Sequence, residues 1–163
     1  MLKVIVSACL LGAPVRFDGR DKLADHPVLQ KWLEEGRVVS ACPEMLGGLG
    51  TPRPPAEIVE RDGVRRVVTP NGTDVSAAFE AGAQAVADQA LAGAVRVAVL
   101  KEGSPSCGSS YVYDGTFSKV RKTGEGVATA LLREHGIAVF SENEFDAAGA
   151  YLASLEEAQR RSV

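Results

Sequence analysis

Short runs of β-branched residues recur along the chain, and each stops abruptly in glycine, serine or proline. Val4-Ile5-Val6 runs into Ser7-Ala8-Cys9-Leu10-Leu11-Gly12, and Val38-Val39-Ser40-Ala41 runs into Cys42-Pro43-Glu44. The longest, Val95-Arg96-Val97-Ala98-Val99-Leu100, runs into Lys101-Glu102-Gly103-Ser104-Pro105-Ser106-Cys107-Gly108-Ser109-Ser110. Such runs predict buried strands that empty into shaped loops. Helical patterns separate them. Pro27 suits a first helical position, Val28, Leu29, Trp32 and Leu33 form an apolar stripe, and Gly36 suits the C-terminal end. An alanine-rich helix is expected from a cap at Thr73 or Asp74 to about residue 92, another from Gly126 to His135, and a last amphipathic one from Asn143 to Arg161. Ile137-Ala138-Val139-Phe140 reads as a fourth sheet strand. This alternation predicts an α/β fold: one Rossmann-like three-layer domain over residues 1–163 with a mostly parallel sheet.

Two stretches break the rhythm. Residues 42–57 hold four prolines and three glycines, so no regular element is expected there, and a long stiff loop in a compact domain is usually functional. The alternation of Glu57-Ile58-Val59-Glu60 and Val64-Arg65-Arg66-Val67-Val68 around Asp62-Gly63 predicts a solvent-facing hairpin. A second short hairpin is expected at Asp114-Gly115.

The chain has 163 residues, a formal net charge of −3 and a sequence pI near 5.5. An acidic balance gives no electrostatic reason for a duplex nucleic-acid partner. No apolar run is long enough to span a bilayer. Lys3 precedes only three apolar residues before Ser7, too few for a secretory signal. A cytoplasmic, reducing location is expected, with the chain a monomer or small homo-oligomer.

Composition matters most at cysteine. There are three, Cys9, Cys42 and Cys107, each just past the carboxyl end of a candidate strand. Parallel strands that are neighbours open their carboxyl ends onto one crevice, where open α/β sheets bind ligands. Three cysteines cannot all pair within one chain, which favours free thiolates or metal ligands; taken singly, each also suits a small buried hydrophobic position. Thiolates select zinc or iron–sulfur clusters. Zinc on three thiolates keeps a site for water, but zinc deaminases bring two of their cysteines as Cys-x-x-Cys, which this chain lacks. A four-iron cluster on three cysteines leaves one iron open, and a cluster tolerates ligands from three separate loops. Open cluster, zinc hydrolase or deaminase, and a non-catalytic cluster-binding module are the readings that spacing leaves standing.

Taken together the motifs are specific. Ser7-Ala8-Cys9-Leu10-Leu11-Gly12, Arg16, Asp18-Gly19, Cys42-Pro43-Glu44, Gly47-Gly48-Leu49, Pro52-Arg53-Pro54-Pro55 and Ser104-Pro105-Ser106-Cys107-Gly108, in that order, resemble the thiouracil desulfurase family. The resemblance implies a [4Fe-4S] cluster held by Cys9, Cys42 and Cys107, and non-redox hydrolysis of a thiolated uracil, as base, nucleoside or nucleotide, with release of sulfide. Glu44, two residues from a ligand, is the expected carboxylate for moving the water proton. Ser104 is expected to take part in the chemistry, and Ser106, Lys101, Arg16 and Asp18 to meet the substrate. Ser104 and Ser106 equally suit a cap after Cys107, Arg53 suits either the substrate's polar edge or a structural ion pair, and Lys119, Arg121 and Lys122 suit a phosphate or a solvated face.

Overall fold

Val4, Ile5 and Val6 are fully buried on both faces of a strand, as a β-branched run in a parallel sheet should be. In a computed structural model that describes residues 1–162, this strand, β1 (Val4–Ser7), pairs in parallel with β2 (Val38–Ala41) and with β5 (Val97–Leu100), which in turn pairs with β8 (Ala138–Ser141). The sheet order is β2-β1-β5-β8.

Alternation along these strands builds three layers. Val4, Val6, Val97 and Val99 face Leu29 and Trp32 of α1 (Pro27–Glu34) and Phe145, Ala148 and Leu152 of α5 (Phe145–Arg161). Ile5, Ala98, Leu100 and Val139 face Val86, Ala87 and Ala90 of α3 (Ser76–Ala92) and Leu132 of α4 (Val127–Glu134). Each fully buried Val or Leu contributes about 1.5–3 kcal/mol relative to exposure. Among the described residues no helix is long and apolar enough to cross a membrane.

From β1 the chain moves outward through α1 to β2, then returns across β1 to enter β5 on the other side. The direction of winding therefore reverses between β1 and β5. A crevice opens at such a reversal, outside the carboxyl ends of the strands.

Several expectations needed correcting. Residues 42–57 do contain a regular element, the single turn α2 (Pro43–Leu46). Proline at the first helical position lacks only an N–H that would be unpaired anyway, and Cys42 occupies the N-cap. The hairpin β3 (Glu57–Arg61) and β4 (Val64–Val68) is only half solvent-facing, because Ile58 and Val67 pack with Phe79 and Val112. The second hairpin, β6 (Tyr111–Tyr113) with β7 (Arg121–Thr123), is joined by residues 114–120 and not by a tight Asp114-Gly115 turn. Helix α3 starts at Ser76, whose amide donates to Asp74 Oδ1 at 2.8 Å. His26 is a helix-start residue, its Nδ1 accepting from the Val28 amide at 3.1 Å.

Candidate active site

Cys9 lies in a 3-10 turn, Ala8–Leu11, that leaves β1 and ends at Gly12 in the left-handed region. The loop then folds back, with the Lys22 amide donating to the Cys9 carbonyl at 2.9 Å and that of Ala24 to Leu10 at 2.8 Å. Cys42 leaves β2 beside it, one residue past Ala41, the register partner of Ser7. Cys107 comes from the other flank of β1. Its loop is joined to β1 where the Lys101 amide donates to Ser7 Oγ at 3.0 Å.

The loop carrying Cys107 is built around a carboxylate that sequence reading assigned no role. Glu102 is 7 % exposed. Its Oε1 accepts from the amides of Ser109 at 2.7 Å and Ser110 at 3.0 Å, and its Oε2 accepts from both their hydroxyls at 2.8 Å. Burial alone would raise its pKa, but the hydrogen bonds from Ser110 and Ser109 outweigh burial and hold it down at about 2. Within this ring Ser104 Oγ accepts from the amides of Ser106 at 3.1 Å and Cys107 at 3.2 Å. Ser106, 1 % exposed, places its hydroxyl 3.0 Å from Ser104 Oγ and 3.6 Å from Cys107 Sγ. The loop rests on the start of α4, whose Val127 and Ala128 amides donate to the carbonyls of Pro105 and Ser106 at 2.8 and 2.9 Å.

The three thiols act on one another. Cys107, 5 % exposed, is pushed up to about 12, by burial first and further by the charges of Glu44, Cys42 and Cys9, against a bond from Ser106. Cys9 is pushed up to about 11, by burial first and then by Cys42, while Lys101 and Arg16 pull it down. Burial also raises Cys42, against the Met45 amide. Glu44 likewise bears on both Cys42 and Cys107. Thiols from three strand ends therefore lie near one another at the carboxyl edge of the sheet, with Glu44 and Glu142 close by. All three are free.

This donor set suits a soft cationic group. Two buried sulfurs and a half-buried one resist ionisation because burial and neighbouring negative charge oppose it, and positive charge supplied among them removes that opposition. Among the described residues no three His, Cys, Asp or Glu side chains form a group that could hold a single metal ion. A four-iron cluster, broader than one ion, asks less convergence of its ligands.

Of the remaining expected residues, Lys101 and Arg16 stand near Cys9. Lys101 Nζ pairs with Glu142 Oε2 at 3.2 Å and donates to the Glu102 carbonyl at 3.1 Å. Arg16 pairs with Asp18 at 3.7 Å, and Asp18 Oδ1 accepts from the Arg20 amide at 3.0 Å. Arg53 is bonded to Glu44 Oε2. Farther out, Arg121 stacks over Tyr111 at 4.3 Å and Lys122 pairs with Glu60 at 3.6 Å. Sequence reasoning missed Glu102, Glu142 and the Arg53–Glu44 pair. Glu102 had one signal, a carboxylate inside a run of glycines and serines rich in donors.

Two glycines set how the Cys42 loop lies. Gly47 and Gly82 face each other where α2 crosses α3, and a Cβ on Gly82 would overlap the Pro43 carbonyl oxygen while one on Gly47 would overlap that of Ala78. Backbone lies directly on backbone there. Cys42 and Glu44 flank the residue in contact.

The family model described as 2-thiouracil desulfurase matches residues 4–144. The uncharacterized protein YbbK of Bacillus subtilis (strain 168) is 42% identical over 152 residues, covering 88% of this chain and 97% of that protein. The solved structure of a [4Fe-4S]-dependent thiouracil desulfidase, TudS, is similar over 94% of this chain and 99% of its own, with 50% sequence identity and a TM-score of 0.89.

Proposed function

This chain belongs to the 2-thiouracil desulfurase family and is a desulfurase, and from that premise we propose that it hydrolyses the C=S bond of a thiolated uracil with a [4Fe-4S] cluster held by Cys9, Cys42 and Cys107. The observation that carries the reading is the adjacency of β2, β1 and β5 as parallel strands, each followed at its carboxyl end by a loop bearing one of those cysteines. When bound by three protein thiolates, such a cluster supplies one uncovered iron, a Lewis acid with affinity for sulfur. Overall, thiocarbonyl and water become carbonyl and hydrogen sulfide, with no change of redox state.

The chain's own residues orient the reactants and move the proton. Glu44 Oε2 is held by Arg53, and no described residue donates to Oε1, which is free to take a proton from the attacking water. Ser104 and Ser106 divide their roles by exposure. Ser106 is too buried to meet substrate and holds the Cys107 sulfur. Ser104 is half-buried, and with two amides on its lone pairs its hydroxyl proton is directed to Ser106 Oγ, 3.0 Å away, so it reaches the water or the pyrimidine only by turning from that partner. Lys101 and Arg16, steadied by Glu142 and Asp18, place positive charge beside Cys9 and line the approach for the polar edge of the ring. The small pyrimidine substrate, whether base, nucleoside or monophosphate, and a reducing cytoplasmic setting both fit free thiols.

Anaerobic reconstitution tests this. The expected protein is brown, with broad iron–thiolate absorption in the visible, and releases sulfide from 2-thiouracil or 4-thiouridine monophosphate. Alanine at Cys9, Cys42 or Cys107 is expected to abolish both iron binding and turnover. A colourless protein that takes up zinc and releases no sulfide would overturn the proposal in favour of a zinc hydrolase.

A further inference from the structure

Arg53 directs nearly all its hydrogen-bonding capacity into the protein. Its Nη2 donates to Glu44 Oε2 and to the Val15 carbonyl at 3.0 Å. Its Nη1 donates to the Gly50 carbonyl at 3.1 Å and lies 3.8 Å from Met45 Sδ. Its backbone amide donates to the Phe17 carbonyl at 2.7 Å. The four N–H groups of the two terminal nitrogens are thereby used, and the side chain is only 7 % exposed. A guanidinium so occupied is not free to hold the polar edge of a substrate, one of the two roles the sequence left open for it.

Its acceptors fall on two loops. Val15 and Phe17 belong to the loop that follows Cys9 and flank Arg16, whereas Glu44, Met45 and Gly50 belong to the loop that begins at Cys42. We infer that Arg53 is a positioning residue: it locks one oxygen of Glu44, leaves the other for water, and clasps the Cys9 and Cys42 loops together so that base and thiols keep one spacing. The planar fork suits this task, because one rigid group reaches a carboxylate and carbonyls on both loops, which the point charge of lysine does not. Misplacing a catalytic group by about 1 Å costs about 10²-fold in rate. The catalytic part of the inference rests on the desulfurase reading; the clasp itself does not.

The test compares reconstituted wild type with Arg53→Lys, Arg53→Met, Glu44→Gln and the Arg53→Met/Glu44→Gln double variant. The expected kcat for sulfide release from 2-thiouracil falls roughly tenfold in Arg53→Lys and about 10²-fold in Arg53→Met, with KM within about threefold of wild type and iron content retained. Adding Arg53→Met to Glu44→Gln is expected to cost nothing further, since the arginine acts through that carboxylate. A raised KM at unchanged kcat, or full additivity in the double variant, would overturn the positioning role. Hydrogen exchange reads the clasp without any substrate: amides in 12–20 and 43–50 should lose protection together in Arg53→Met. Unchanged protection in either loop sinks the clasp. If Arg53→Met fails to fold or to hold iron, Arg53→Lys carries the same comparisons. A wild type that releases no sulfide would defeat the proposed function, while the exchange result would still decide the clasp.

Discussion

The loops that deliver Cys107 and Cys42 reach the same crevice by opposite means. The Cys107 loop is closed on itself by polar bonds: Glu102 gathers Ser109 and Ser110, Ser104 caps the cysteine's own amide, and Thr129 of α4 donates to the Cys107 carbonyl at 3.0 Å. The Cys42 loop has no comparable set of side-chain bonds among the described residues. Backbone bonds close its single helical turn, with the Leu46 amide donating to the Cys42 carbonyl at 3.0 Å and the Leu49 amide to that of Glu44 at 3.1 Å. It is set in place by backbone pressed on α3 and by one arginine from its far end. One sulfur is held mainly by side-chain bonds within its own loop, whereas the other, together with Glu44, leans on a neighbouring helix and on Arg53. Glu44, the proposed base, thus sits on a turn that packs directly on a neighbouring helix, where changes in that helix reach it.

Removing Glu102 should break that contrast most severely. Glu102→Ala leaves the buried amide and hydroxyl of Ser109, and the more exposed pair on Ser110, without their acceptor, so we expect a loss of about 3 kcal/mol, measured by urea unfolding, together with loss of iron. The same residue predicts an acid limit. Its folded pKa, about 2, lies below the ordinary 4.5, so its stabilisation is fully present above the ordinary value and drains away as pH falls towards 2. Urea midpoints measured between pH 6 and 2 should fall across that window, and less steeply in Glu102→Gln.

A smaller effect of different character is expected at the other loop. Gly82→Ala forces α2 off α3 at a cost of about 1–3 kcal/mol. Because Cys42 and Glu44 ride on α2, turnover per bound iron should fall further than thermal stability does. A proportionate loss of both would show that the loop is held by something besides the glycine contact. Least of all, Ser104→Ala removes the side-chain acceptor of two turn amides, worth about 1 kcal/mol, visible as a modest drop in Tm. Activity lost far beyond that drop would support Ser104 as a proton donor, and activity lost only in step with it would leave the residue a cap.

Much of the candidate site could be proposed from the chain. Cys9, Cys42 and Cys107 announce themselves by standing after β-branched runs, and Glu44 by its distance from Cys42. Glu102 was visible as a residue but not as an anchor, because its acceptor role depends on Ser109 and Ser110 curling back over it. Gly82 gave no signal, since a glycine in an alanine-rich helix looks like a tolerated defect until another backbone is seen lying across it. The α2 turn was missed because proline and glycine density outweighed the one position where proline starts a helix.

Period and composition by themselves determined the strands, the helices between them and the soft donors at the strand ends, because burial on both sheet faces demands β-branched runs and those runs end where the loops begin. Only the tertiary structure decided which strands are neighbours, which carboxylate is held by Arg53 and which of the two serines is fully buried. Those choices depend on contacts between residues far apart in the chain, such as Lys101 on Ser7 or Arg53 on Val15. Local periodicity carries no record of such contacts; they exist only once the sheet has set its order.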